Sequence, residues 1–165
     1  MKIEQKLAAL GIDLPAPTIP ATAPLRAWVV TGNLLYLSGA GPRMADGSVP
    51  KGKLGREFTT AQGREFARRT AINLLGAAKD ALGDLDRVVR TVKLLGMVNC
   101  TEDFTEQPQV VNGCSELFVE LWGENGRHAR SAVGLQQLPG GMPVEIEAIF
   151  EIKPARSRRP QHLSE

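Results

Sequence analysis

The segment from His128 to Lys153 reads HARSAVGLQQLPGGMPVEIEAIFEIK, and its second half decides the fold. In VEIEAIFEI, the residues Val144, Ile146, Ala148, Phe150 and Ile152 alternate with Glu145, Glu147, Ile149 and Glu151, the period of two that sends successive side chains to opposite faces of a strand. The first set is wholly apolar and requires burial under other elements. The second mixes an isoleucine with carboxylates, so it is neither a clean core face nor a plain solvent face. Such a mixture fits a subunit interface that holds a polar site. The first half poses a different problem, because Arg130 stands between His128 and the apolar pair Ala132 and Val133 at the start of a strand. A guanidinium on a rigid element is a cation that can be aimed.

Working outward, Arg87 to Val98 (RVVRTVKLLGMV) is a valine- and leucine-rich strand pattern. From about Gln107 to Leu121, Val110, Val111, Cys114, Leu117 and Phe118 recur at helical spacing and predict a helix with these residues inward. A longer helix starts after Thr59 or Thr60, either of which can cap it, and ends near Gly83. Its apolar stripe is Phe66, Ala67, Thr70, Ala71, Leu74, Leu75, Ala78 and Leu82, with Arg64, Arg68, Arg69 and Lys79 off the stripe. RAWVVTGNLLYLSG, from Arg26 to Gly39, reads as a hairpin about Thr31-Gly32-Asn33. Between Gly39 and Gly55, glycine, proline and lysine forbid a long element, and Asp46-Gly47 marks a turn. The chain opens on a short helix carrying Ile3, Leu7 and Leu10, capped by Gly11. Four prolines from Leu14 to Pro24 then make an extended connector. This order predicts the α+β class: a mostly antiparallel sheet covered on one face by two long helices.

Length and composition bound the function. A chain of 165 residues buries roughly 68–70% of its unfolded surface as one domain and needs no disulfide or metal staple. Cys100 and Cys114 form no CxxC, and His128 and His162 are the only imidazoles in the sequence, so no metal site is expected. The net charge of +2 originates in the tail KPARSRRPQHLSE, with Arg156, Arg158 and Arg159; the body is near neutral and the tail is expected to be solvated and flexible. MKIEQKLAALGI lacks the apolar core of a signal peptide, and no run is long enough to span a bilayer, so a reducing cytoplasm without membrane attachment is expected.

Three motifs together carry a resemblance. YLSGAGP, VVNGCSELF and ARSAVGLQQLPGGMPVEIEAI resemble the YjgF/RidA family, the reactive-intermediate deaminases also called endoribonuclease L-PSP, over roughly Leu25 to Ile152. The resemblance implies a chorismate-mutase-like fold, a homotrimer with sites in the clefts between subunits, and hydrolysis of 2-imino or 2-enamino acids to 2-keto acids and ammonia without a cofactor. It implies three segments: residues 1–24 as an N-terminal helix and connector, 25–153 as the family domain, and 154–165 as a flexible tail. Arg130 matches the arginine that grips the substrate carboxylate and Glu145 the glutamate associated with the attacking water. Ser38 with Gly39, Asn112 and the backbone of Ala132 match residues lining the cleft. The sequence departs from the family pattern at Leu25, where an aromatic is common, at Ala132, where a cysteine is common, and at His128, which replaces a proline. Substrate identity does not carry over.

The chemistry is consistent with these residue types. The planar fork of Arg130 meets a carboxylate with two parallel hydrogen bonds, and Glu145 can take a proton from water. Competing roles stay open at this stage. Arg130 could form an interfacial salt bridge, even with Glu145, and Glu145 could pair with a lysine. His128 could shuttle a proton or only line the cleft. Asn112 could bond a backbone group, Ser38 could serve a turn, and the two cysteines fit packing. Besides deamination of a small carboxylate substrate, the alternative is a trimer that binds small carboxylates without turnover. Ribonuclease activity and a nucleic-acid partner are disfavoured by the near-neutral body, the two histidines and the lack of an aromatic, basic stacking surface.

Overall fold

The computed structural model describes residues 2–20 and 22–154; the tail arginines and His162 lie outside the described residues. Five strands form one sheet: β1 (Trp28–Thr31), β2 (Leu34–Ala40), β3 (Val88–Asn99), β4 (Ala129–Leu135) and β5 (Val144–Ile152), in the order β1-β2-β5-β3-β4. The β1/β2, β2/β5 and β3/β5 pairs are antiparallel and β3/β4 is parallel, as a mostly antiparallel α+β sheet requires. The parallel pair arises because the chain between β3 and β4 crosses over through a helix.

The described residues form three α-helices: α1 (Lys2–Ala9), α2 (Thr60–Leu82) and α3 (Gln107–Trp122). The alternation in β5 is realised as expected, with Val144, Ile146, Ala148, Phe150 and Ile152 all buried. They meet α2 and α3, whose stripes Ala67, Ala71, Leu74, Leu75, Ala78 and Val110, Val111, Cys114, Leu117, Phe118 belong to the same core. Thr59 rather than Thr60 caps α2: its hydroxyl accepts from the Gln62 amide while the Gln62 side chain accepts from the Thr59 amide. Gly83 closes the helix at φ 71, a left-handed turn that glycine takes without strain. The two long helices cross closely because Gly113 lacks a side chain; a Cβ there would run into the Arg64 carbonyl oxygen. Across the same crossing Arg64 pairs with Glu116 at 2.5 Å and Arg68 with Glu120 at 3.1 Å.

The N-terminal segment is part of this packing. Ile3 and Leu7 are buried in the core, while Leu10 falls past the helix end and is 39% exposed, because α1 stops at Ala9 and the chain turns at Gly11, φ 66. Asp86 accepts from the first amides of α1, Lys2 at 2.7 Å and Ile3 at 2.9 Å. Glu4 accepts from Lys79 at 2.7 Å and from the Leu85 amide at 3.0 Å. Glu4, Asp84 and Asp86 bring carboxylate oxygens within 4.8 Å of one another, but these hydrogen bonds, and that from the Asp86 amide to Asp84, give them a structural task.

Candidate active site

Strand register places the matched residues on two faces of the sheet. Arg130 lies opposite Leu94 and Ala132 opposite Gly96; Leu94 is in the core and Gly96 packs against Val111 of α3. Arg130 and Ala132 therefore point to the helix side, at the edge strand. Glu145 lies opposite Met97 and alternates with the buried residues of β5, so it points to the bare side. Within one chain the sheet stands between Arg130 and Glu145, so the interfacial salt bridge that the sequence allows between them would need two copies of the chain.

On the helix side the guanidinium is held by α3. Arg130 Nη1 donates to Asn112 Oδ1 at 2.8 Å and to Ser115 Oγ at 3.0 Å, which occupies both of its hydrogens. Asn112 and Ser115 are three residues apart, hence neighbours on one helix face. No carboxylate pairs with Arg130 among the described residues, and its Nε and Nη2 hydrogens have no partner there. Asn112 thus bonds the arginine and not a backbone group.

His128 lies just before β4 and has both ring nitrogens engaged: Nδ1 is 2.7 Å from the Gly126 carbonyl oxygen and Nε2 is 3.0 Å from Ser115 Oγ. Because a carbonyl can only accept, Nδ1 carries the hydrogen and Nε2 accepts from the serine hydroxyl. Burial, with a smaller contribution from the positive charge of Arg130, holds its pKa below the ordinary 6.5 against the opposing Gly126 hydrogen bond. This neutral, doubly bonded ring is poorly placed to shuttle protons. Ser115 was not legible as a site residue; its spacing of three from Asn112 was the available signal.

On the bare side, a register irregularity between Leu37 and Ala40 brings Gly39 beneath Glu145. A Cβ at Gly39 would run into Glu145 Oε1, so the missing side chain makes room for the carboxylate. Burial, then the neighbouring Glu147, raises the Glu145 pKa above 4.5, and no hydrogen bond reaches its carboxylate from the described residues. Ser38 donates to the Arg26 carbonyl at 2.6 Å and so ties down the segment after Leu25, itself 54% exposed. Pairing sets Met97 opposite Glu145 and Leu95 opposite Glu147, with Ile149 and Tyr36 farther along the same face. Lys93 donates to Ser131 at 3.1 Å rather than to either glutamate.

Two recesses flank the bulge, one of about 630 Å³ at Leu25, Arg26, Trp28 and Asp80 and one of about 220 Å³ between the connector, Ser38–Gly41 and α2. Neither contains Arg130 or Glu145. Cys100 and Cys114 are buried, and burial pushes the Cys114 thiol far up, which keeps it protonated and inert.

Residues 4–143 match the family of YjgF/chorismate_mutase-like proteins, whose description also names an endoribonuclease. Protein TCP17 of Trypanosoma cruzi is 43% identical over 152 residues, covering 92% of this chain and 94% of its own. Among solved structures, Atu1372 of Agrobacterium tumefaciens, of unknown function, superposes at TM-score 0.84 with 41% identity over 92% of this chain and 94% of that one. RidA from Psychrobacter sp. PAMC 21119 superposes at TM-score 0.56 with 28% identity over 83% and 94%. No helix among the described residues is long and apolar enough to cross a membrane.

Proposed function

The chain belongs to the YjgF/RidA family, and from that premise we propose that it hydrolyses small 2-imino or 2-enamino acids to 2-keto acids and ammonia in clefts between the subunits of a cytoplasmic homotrimer. The observation that carries this reading is the state of Arg130. Its Nη1 is spent on Asn112 and Ser115, and its Nε–Nη2 edge is left to receive a carboxylate in a bidentate pairing. Since Arg130 and Glu145 lie on opposite sides of one sheet, a second copy must supply the glutamate that faces the arginine of the first.

In that cleft the steps balance simply. An enamine first takes a proton at carbon to become the imine. Water adds to the imine carbon and one of its protons goes to nitrogen, giving a carbinolamine; the hydroxyl proton then also moves to nitrogen, the C–N bond breaks to release ammonia, and the C=O bond of the keto acid forms. Arg130 orients the substrate by its carboxylate. Glu145 accepts the proton of the attacking water and returns it to nitrogen, a task suited to a carboxylate whose pKa burial has raised. The residues 1–24 and 154–165 stand outside this chemistry in the proposal.

The test is purified protein given an imine generated by an amino-acid oxidase. Replacing Arg130 by Ala should lower kcat/KM by at least about 10²-fold, and Lys should restore only part of it, because a lysine keeps the charge without the fork. Unchanged turnover in Arg130→Ala rejects the assignment. The separation of Glu145 from Arg130 within the chain also favours one second reading, carboxylate binding without turnover; tight 2-keto acid binding with no acceleration of imine decay would establish it.

A further inference from the structure

The hydrogen bonds behind Arg130 run in a single direction through three elements. Gly126 O, in the short turn after α3, accepts from His128 Nδ1–H; His128 Nε2 accepts from Ser115 O–H; Ser115 Oγ accepts from Arg130 Nη1–H. With a neutral ring each group has one role: the Gly126 carbonyl only accepts, so Nδ1 carries the hydrogen and Nε2 has a lone pair to take the Ser115 hydrogen. The imidazole is half-buried and also stands edge-on to Phe118, with ring centroids 6.4 Å apart and planes at 71°. Asn112 holds the other hydrogen of the same nitrogen at 2.8 Å. Fixing both hydrogens of Nη1 fixes the plane of the whole guanidinium, since that group is rigid and flat.

We infer that Ser115 and His128 are positioning residues that lock the guanidinium of Arg130 at the rotation where its Nε–Nη2 edge meets a substrate carboxylate. The inference rests on the reading of Arg130 as the carboxylate-binding group. Neither residue touches substrate. An arginine side chain on an edge strand has four rotatable bonds and loses much freedom when it binds; a pre-set rotamer removes that loss from the binding step. The effect therefore falls on affinity and KM, with kcat little changed. Burial, and with it the Arg130 charge, favours the neutral imidazole, the form that takes the Ser115 hydrogen and leaves the serine lone pairs to Arg130.

The experiment uses the full chain, with pyruvate as the 2-keto acid probe in calorimetry and the oxidase-generated imine for kinetics. Ser115→Ala should weaken pyruvate binding and raise KM by about tenfold, the size expected for one hydrogen bond to a charged group, while kcat stays within about threefold. His128→Phe keeps the ring contact with Phe118 and should act in the same direction. Ser115→Thr retains the hydroxyl and should restore binding. The Ser115→Ala/His128→Phe double variant should be no worse than the worse single one, because both act through one bond to Arg130.

Wild-type affinity in both single variants, or an additive double variant, overturns the positioning role. A change confined to the unfolding midpoint does the same, since it marks packing alone. Loss of pyruvate binding in Arg130→Ala with wild-type Ser115→Ala and His128→Phe refutes this inference and spares the Arg130 reading; wild-type binding in Arg130→Ala refutes that reading itself. A serine donating to a neutral imidazole is also the arrangement of an activated nucleophile, so labelling of Ser115 by a fluorophosphonate would overturn the role as well. Should Ser115→Ala not fold, His128→Phe and Ser115→Thr carry the comparison.

Discussion

The two halves of the candidate site are built differently. Around Arg130, three elements of one chain supply a closed set of hydrogen bonds to Asn112, Ser115, His128 and the Gly126 carbonyl. Around Glu145 the chain supplies room, through Gly39, and low polarity, through Met97 and its neighbours, but no hydrogen-bond donor among the described residues. The first half is finished within the chain. The second has a half-buried carboxylate without a hydrogen-bond partner among the described residues, which is the condition expected of a group completed across an interface. Arg130, the proposed binding group, is made rigid by hydrogen bonds within its own chain, whereas Glu145, the proposed proton-transfer group, is tuned by burial.

Neutralising one half without touching the other separates the two roles. Glu145→Gln keeps shape and removes the base. It should lower kcat by about 10²–10⁴-fold while 2-keto acid affinity stays near wild type, as steady-state kinetics and calorimetry on the same preparation would show. A loss of affinity equal to the loss of kcat would mean that Glu145 also binds, and the division of labour would be wrong.

Most of the fold was legible because its signals are local and periodic. The alternation in Val144 to Ile152 and the stripes of α2 and α3 each admit one burial pattern, and Gly83 marks the end of α2 by known chemistry, whereas its start stayed open between Thr59 and Thr60. What escaped depended on register and on side chains meeting across elements. That Arg130 faces the helices and Glu145 the bare face follows only from the pairing of Arg130 with Leu94 and of Glu145 with Met97. Ser115 looked like any polar residue on an amphipathic helix until β4 brought Arg130 against it. His128 was visible as an oddity before Arg130, but its two ring nitrogens are satisfied by Gly126 and Ser115, which no linear pattern announces. Leu10 continues the apolar spacing one residue past the end of α1, where spacing alone does not mark the stop.

A smaller effect sharpens the second half. Gly39→Ala would place a methyl group where the Glu145 carboxylate now lies. The obstacle is the far end of a flexible side chain, so stability should change little. The carboxylate must move aside by a carbon's width, and kcat should fall by about tenfold through misplacement alone. Equal kcat for Gly39→Ala and wild type would show that Glu145 works from a different position than the one this bulge prepares.

The smallest effect is proton linkage, and there the halves should pull in opposite directions. Folded Glu145 titrates above 4.5, its unfolded value, so in that window the folded chain binds more protons and stability falls as pH rises. Folded His128 titrates below 6.5, so just below 6.5 the unfolded chain binds more protons and stability falls as pH drops. Both groups are partly solvated, which limits each slope to about 1–2 °C in Tm. Glu145→Gln should abolish the first slope and keep the second; His128→Phe should do the reverse. Thermal scans between about pH 4 and 7 at two protein concentrations decide more than the sign. If a second copy covers the glutamate, its slope steepens with concentration while that of His128, whose partners all belong to its own chain, does not. Equal concentration dependence of both slopes would erase the distinction between a half completed within the protomer and a half completed by its neighbour.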